Sequence, residues 1–230
     1  MKTLISGATR GIGKAIAVDL AAKGHQLILL ARNKGELKIL ADELKTSNST
    51  HEYFAIDLTD AAQIRDIPKQ LNPKGGIDLL INNLGIYELD QASNLEEQNL
   101  KRLLELNLFS AINLTQIMLP LLRKSAPSSI ININSVMGIT ANKDASSYSI
   151  SKHALKAWND TLREELRAEQ IKVSSIYPGA VNTSSWDNTG ANRTTMIQAE
   201  DIAKFVGNLI DLGSTCLVEE VSVSPMNFKP

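Results

Sequence analysis

The chain has 230 residues, a net charge of −1 and a hydrophobic fraction of 43%. That balance suits one α/β domain with a sizeable core and argues against a nucleic-acid or membrane-surface partner. Its single cysteine, Cys216, allows no internal disulfide, and Arg10, Lys14 and Asp19 interrupt any amino-terminal apolar run, so neither a signal peptide nor a membrane span is expected and cytoplasm is the expected location.

Lys2–Ser6 reads as a buried strand that runs directly into Gly7-Ala-Thr-Arg-Gly11-Ile-Gly13. An apolar helix follows over 12–23, with Ile12, Ile16, Ala17, Leu20 and Ala21 on one stripe. Strand, glycine-rich turn and helix N-terminus make a phosphate cradle, because glycines let the backbone approach an anion that the helix dipole favours. The spacing is G-x-x-x-G-x-G, and in this context it predicts a dinucleotide site.

Further strands are expected at 27–31, 52–56, 77–82, 129–134, 171–177 and 216–223. Further helices are expected at 34–46, 60–70, 95–124 with a break near Asn107, 147–169 and 199–212. Such alternation argues a doubly wound parallel sheet of about seven strands with helices on both faces, in one domain over 1–230. Thr46–Thr50 and Ser125–Ser129 read as short polar turns.

Tyr148 and Lys152 stand four residues apart in Y-S-I-S-K, downstream of Ser135 in I-I-N-I-N-S. On a helix that spacing puts phenol and ammonium on one face. A free tyrosine has a pKa near ~10, and an adjacent ammonium is expected to lower it by about two to three units, towards proton transfer near neutrality. Taken alone, the pair also fits an ordinary amphipathic helix.

The segments S-G-A-T-R-G-I-G at 6–13, Asp57-Leu58, N-N-L-G at 82–85, Asn107 in E-L-N-L, Ser135, Tyr148 with Lys152, and Pro178-Gly179 lie in one order over residues 1 to 180. Together they resemble the single-domain short-chain dehydrogenase/reductases, whereas the region beyond matches only loosely. The resemblance implies a Rossmann-like fold and an NAD(P)-dependent oxidoreductase. Such an enzyme passes hydride between the nicotinamide and a carbonyl or hydroxyl of a small molecule. Tyr148 is then the general acid/base, Lys152 binds the nicotinamide ribose and lowers the phenol pKa, and Ser135 orients the substrate oxygen. Asn107 would hold a water leading to Lys152, or simply patch a helix break.

By the same resemblance Gly7, Thr9, Arg10, Gly11, Ile12 and Gly13 cradle the cofactor with Leu58, Pro178 and Gly179, and Thr183 meets its carboxamide. Asp57 would contact the adenine amine, or cap the helix that starts near Asp60. Asn83 and Gly85 would line the adenosine side, or form an ordinary turn. A homodimer or homotetramer through the helices around 100–124 and 147–169 is implied as well.

Charge bears on cofactor choice. In Rossmann units an acid at the end of the second strand holds the ribose 2′-hydroxyl, whereas an arginine accommodates a 2′-phosphate. That strand ends here in Ala31-Arg32-Asn33, the nearest acid is Glu36, and Arg10 lies in the glycine turn. A guanidinium pair suits a phosphate dianion, so NADP(H) is expected over NAD(H), unless Arg32 merely caps a solvated strand end.

His25, His51 and His153 have no metal spacing, and no metal is expected. Leu84 replaces the alanine common in N-N-A-G and is expected to crowd the cofactor floor. The 179–199 segment is short, so any substrate lid is small, and V-E-E-V-S-V-S-P lacks the glycine pair that closes many relatives. Tyr87, Met137, Thr140 and Trp186 are candidates to line a partly apolar substrate pocket. Two other readings explain less: a cofactor-binding sensor or scaffold with little turnover has little need of Ser135 or Tyr148, and a Rossmann methyltransferase needs neither Tyr148 nor Lys152.

Overall fold

Leu27, Ile28, Leu29 and Leu30 follow one another and are all fully buried, which only a strand covered on both faces permits. In the computed structural model, which describes residues 1–45, 50–71, 75–187 and 190–227, they belong to β2 (Gln26–Ala31). It pairs in parallel with β1 (Lys2–Ser6) and β3 (Glu52–Ala55). The sheet continues through β4 (Leu79–Asn82), β5 (Ser128–Ile133), β6 (Ile171–Pro178) and β9 (Glu220–Val223), in the order β3-β2-β1-β4-β5-β6-β9, and all its pairings are parallel. The order reverses between β1 and β4, which opens a crevice beyond the carboxyl ends of these strands.

Helices cover both faces. Leu4, Leu80, Ile130 and Val173 point to one side, where they meet α3 (Ala61–Gln70), α5 (Ser110–Lys124) and α6 (Ser146–Leu166) through Ile64, Met118 and Leu162. Ile5, Leu29, Ile81 and Ile131 point to the other, against α1 (Gly11–Ala22), α2 (Lys34–Leu44) and α7 (Ala199–Ile210) through Ile16, Leu37 and Val206. Each such buried aliphatic side chain contributes about 1.5–3 kcal/mol, so the two apolar layers dominate the stability. A polar seam crosses the first layer, where the Asn82 amide donates to Thr115 at 2.9 Å and to Asn132 at 2.8 Å.

The doubly wound sheet is as expected, with boundaries displaced by a few residues. Four differences have physical causes. The last strand is shorter than 216–223, because only Glu220–Val223 pairs with β6. Two strands too short to show a period, β7 (Val181–Asn182) and β8 (Ile197–Gln198), form a separate parallel pair. The expected helix over 95–124 consists of α4 (Glu97–Leu104), a π-helical turn at Glu105–Phe109, and α5, so Asn107 sits in a wound segment rather than a break. Of the two polar turns, Ser125 does close α5, but β5 begins already at Ser128, and 46–49 of Thr46–Thr50 lie outside the described residues, as does the last residue of the 34–46 helix.

Among the described residues no helix is long and apolar enough to cross a membrane, and no group of three His, Cys, Asp or Glu could hold a metal ion. The histidines serve the scaffold: His25 pairs with Thr3, His51 with Leu44 and Leu27, and His153 with the Ser149 carbonyl.

Candidate active site

A cavity of about 800 Å³ occupies the crevice beyond β1, β2, β4 and β5. Its floor is the turn after β1. Gly7 and Gly11 have φ of +63° and +51°, in the left-handed region that glycine tolerates. Gly13 is required for another reason: a Cβ there would lie 2.2 Å from the Gly7 oxygen and 2.4 Å from Asn83 Nδ2. Arg10 precedes α1 in extended conformation and its side chain makes no capping bond, which leaves the first-turn N–H groups available to an anion.

Asn83 braces this turn. Its amide donates to the Ser6 and Gly7 carbonyls at 3.1 Å each, and the Ser6 hydroxyl accepts from the Asn83 and Leu84 N–H groups at 2.9 and 3.1 Å. The Asn83 side chain therefore holds the cradle, while its backbone remains on the cavity wall. Leu84 also borders the cavity and packs against the core below. Gly11 is pressed from above by Thr183, whose methyl lies 2.9 Å from where a Cβ would stand.

Arg10 and Arg32, expected together at a 2′-phosphate, stand in different surroundings. The first turn of α2 packs beside the glycine turn, so Arg10 Nη2 donates to Glu36 Oε1 at 2.5 Å and Nε to Oε2 at 3.4 Å. The Arg10 hydrogen bond holds the Glu36 carboxyl below its usual range. Arg32 stays exposed on the cavity rim with no ion-pair partner among the described residues. Asp57 lies on the wall, with Oδ1 accepting from the Thr59 N–H at 3.0 Å and hydroxyl at 2.8 Å. The cap of α3 is Asp60, which accepts from Ala62 and Gln63, so that alternative for Asp57 is overturned.

The far end of the cavity carries Tyr148 and Lys152 on the first turns of α6, with Ser135 at the end of β5 beside them. Ser135 stands close enough to the phenol to favour its charged form. Lys152 Nζ donates to the Ile133 carbonyl at 3.2 Å and lies 5.8 Å from the Tyr148 ring centroid. Burial pushes the Tyr148 phenol up to about 12, with Ser135 opposing, and burial lowers Lys152 to about 8. The expected depression of the phenol is thus reversed: burial penalises the phenolate by more than Ser135 favours it. Tyr148 is half-buried and lines the cavity, and that partial exposure softens the shift.

Asn107 joins this end to the wall opposite. Its Oδ1 accepts from the Ile86 N–H at 2.8 Å, and its amide donates to the Ile86 carbonyl and the Ser151 hydroxyl, each at 3.0 Å. A Cβ on Gly85 would stand 3.2 Å from Asn107 Oδ1 and 3.5 Å from Lys152 Nζ, so the glycine lets this wall pass close to both side chains. Tyr87 stands edge-on to Tyr148, with centroids 5.0 Å apart, and leans on Trp186 at 5.8 Å.

Other expected residues lie elsewhere. The Gly179 N–H is bonded to the Val223 carbonyl at 2.7 Å, which ties Pro178-Gly179 to β9, away from the cavity lining. Thr140 is exposed and bonds back to Val136, and Met137 sits in the turn after Ser135. Leu58 and Ile12 line the cavity with Thr9.

Two positioning residues escaped the sequence reading. Asn134 accepts from the Ser135 N–H at 2.9 Å and donates to the Lys152 carbonyl at 3.2 Å, which joins the serine to the lysine helix. Asp90 binds the start of α6, a helix whose preceding residue, Ala145, has no capping side chain. No sequence signal pointed there, because the expected start at 147 placed Ser146, an ordinary cap residue, in front of the helix.

The short chain dehydrogenase family model matches residues 2–194. The chain belongs to the short-chain dehydrogenase family. This makes it an oxidoreductase with a Rossmann-like fold. Among curated members, it is 34% identical to an uncharacterized oxidoreductase of Bacillus subtilis over 203 residues, 87% of this chain and 71% of that one. It is 29% identical to sepiapterin reductase of Chlorobaculum tepidum, covering 96% of this chain and 95% of the other. An alcohol dehydrogenase from the archaeon Thermococcus sibiricus, solved with 5-hydroxy-NADP, superposes with a TM-score of 0.92 at 25% identity, covering 100% of this chain and 98% of that one.

Proposed function

We propose that this short-chain dehydrogenase is an NADP(H)-preferring carbonyl reductase in which Tyr148 is the general acid/base. One observation carries the reading: a single cavity begins at an uncapped glycine cradle and ends at Tyr148 and Lys152. The cradle fits a dinucleotide, since Gly7 and Gly11 line the cavity with positive φ and no side-chain cap covers the first-turn N–H groups of α1. The first-turn N–H groups of α1 would hold the pyrophosphate, Arg32 a 2′-phosphate, Asp57 the adenine side, and Thr183 and Lys152 the nicotinamide half. When bound, the nicotinamide supplies or accepts hydride. The Thermococcus relative, bound to an NADP derivative, supports the phosphorylated form.

In reduction Ser135 orients the substrate oxygen and Tyr148 donates its proton to it. A resting phenol shifted upward is in the protonated form that this direction needs. The nearby Lys152 ammonium steadies the phenolate left behind, and Asn107 and Asn134 hold the two sides of the site in register. Tyr87 lines the cavity and is backed by Trp186, which gives the substrate side an apolar face and supports a small, partly apolar carbonyl compound. Exposed Phe109 and Ile150, on the helices expected to meet a second copy, support a homo-oligomer.

A screen of aldehydes, ketones, acyl thioesters and pterins, following loss of NADPH absorbance, tests the activity. Turnover of a carbonyl compound that vanishes in Tyr148→Phe is the expected result. Turnover that persists in that variant removes the mechanism.

A further inference from the structure

Glu36 is the acid on the cavity wall that pairs with Arg10. It is the third residue of α2, behind the cap Asn33, whose side chain accepts from the Gly35 and Glu36 N–H groups at 2.9 and 3.2 Å. That fixes the backbone beneath the carboxylate, which then takes Arg10 at two points, 2.5 and 3.4 Å. The pair is solvent-exposed, with 69% and 31% of the two side chains accessible, so it adds little to stability. Its consequence is for a ligand: a carboxylate already holds the base that a 2′-phosphate would use.

We propose that Glu36 is a specificity-determining residue that weakens the preference of the site for a 2′-phosphorylated dinucleotide. The inference rests on the reading that the Arg10–Arg32 end of the cavity receives the adenosine 2′ position. Two effects act in the same direction. Arg10 must give up a two-point ion pair before it can turn to a phosphate. A dianion placed beside Arg10 also lies within reach of the Glu36 charge, and like charges at that separation in a wet site repel appreciably. A 2′-hydroxyl meets neither obstacle and can donate to the carboxylate, so the unphosphorylated dinucleotide binds with the ion pair intact.

The test uses adenosine 2′,5′-bisphosphate and adenosine 5′-monophosphate as probes, titrated calorimetrically into the full chain. Glu36→Gln keeps the shape and the helix start but removes the charge. It should tighten the bisphosphate about tenfold and leave the monophosphate within about twofold. NADPH and NADH should follow the same pattern, and the melting temperature should stay near wild type. Equal changes for both probes, or weaker bisphosphate binding, would overturn the inference and make Glu36 an aid to Arg10. If wild type binds the two probes equally, the 2′-phosphate reading falls and this inference with it. If wild type prefers the bisphosphate and Glu36→Gln leaves that ratio unchanged, this inference alone falls.

Discussion

The Asp90 carboxylate accepts a hydrogen bond from the Ser147 N–H at 2.9 Å, and so a residue of the loop after β4 caps the helix that presents Tyr148. The Ser147 hydroxyl donates to the same carboxylate, and the Ser146 N–H donates to the Asp90 carbonyl at 3.2 Å. No acid stands in the first turn of α6 itself. Asp90 thus supplies from a distance the acceptor and the negative charge that a helix start favours.

Asp90→Ala should lower stability by about 0.5–2 kcal/mol, the usual effect of losing a cap. Because the next residue along is Tyr148, kcat should fall further than KM rises, with Asp90→Asn recovering part of both losses. Thermal unfolding and steady-state kinetics measure this. Wild-type kinetics in the alanine variant, at a lowered melting temperature, would leave Asp90 as a purely structural cap.

Tyr148→Phe removes the hydroxyl but keeps the ring that Tyr87 meets edge-on. Carbonyl reduction should drop by at least ~10²-fold, the scale of general acid catalysis, while NADPH affinity stays near wild type. The check is single-turnover reduction beside a direct binding titration.

Arg32→Asp places a carboxylate at the exposed cavity rim. NADPH should bind at least about tenfold more weakly, with NADH unchanged or improved. If wild type already prefers NADH, the roles given to Arg10 and Arg32 are wrong.

Lys152 makes stability depend on pH. Burial lowers it from the usual 10.5 to about 8. Between those values the unfolded chain holds a proton that the folded chain has released, so stability rises with pH across that window. Below about 8 both forms are protonated and the buried ammonium is a constant penalty. From about pH 7.5 to about 9.5 the wild type should gain roughly 2 kcal/mol relative to Lys152→Met, which has no proton to release. Tyr148 acts in the opposite sense only above the usual phenol range, outside this comparison. Denaturant unfolding of both proteins at the two pH values decides it, and parallel curves would mean that Lys152 titrates normally.

What the sequence revealed was local. Gly7 and Gly11 were legible because the chain must turn with positive φ between a strand and a helix, and Tyr148 with Lys152 because four residues make one helical turn. Contacts between distant segments were not. Glu36 meets Arg10 from 26 residues away, Asp90 reaches Ser147 across 57, and Asn83 grips Gly7 across 76. None of these separations has a period, since each depends on how the layers pack. The direction of the Tyr148 shift was misjudged for a related reason: a neighbouring charge can be read from spacing, but burial cannot.

The π-helical turn at Glu105–Phe109 carries one residue more than an α-helix needs over the same rise. Loss of one codon within it would let α4 and α5 join as an unbroken α-helix, locally at least as regular as before. The helices on either side would keep their faces, because the π turn absorbs the surplus residue, and the change would fall on the bulge itself, taking the Asn107 amide away from Ile86 and Ser151. At this place the count of residues is inherited information as much as their identity. In a library of single-codon deletions, such members would still present a folded helix yet have lost the clamp between the cavity wall and α6.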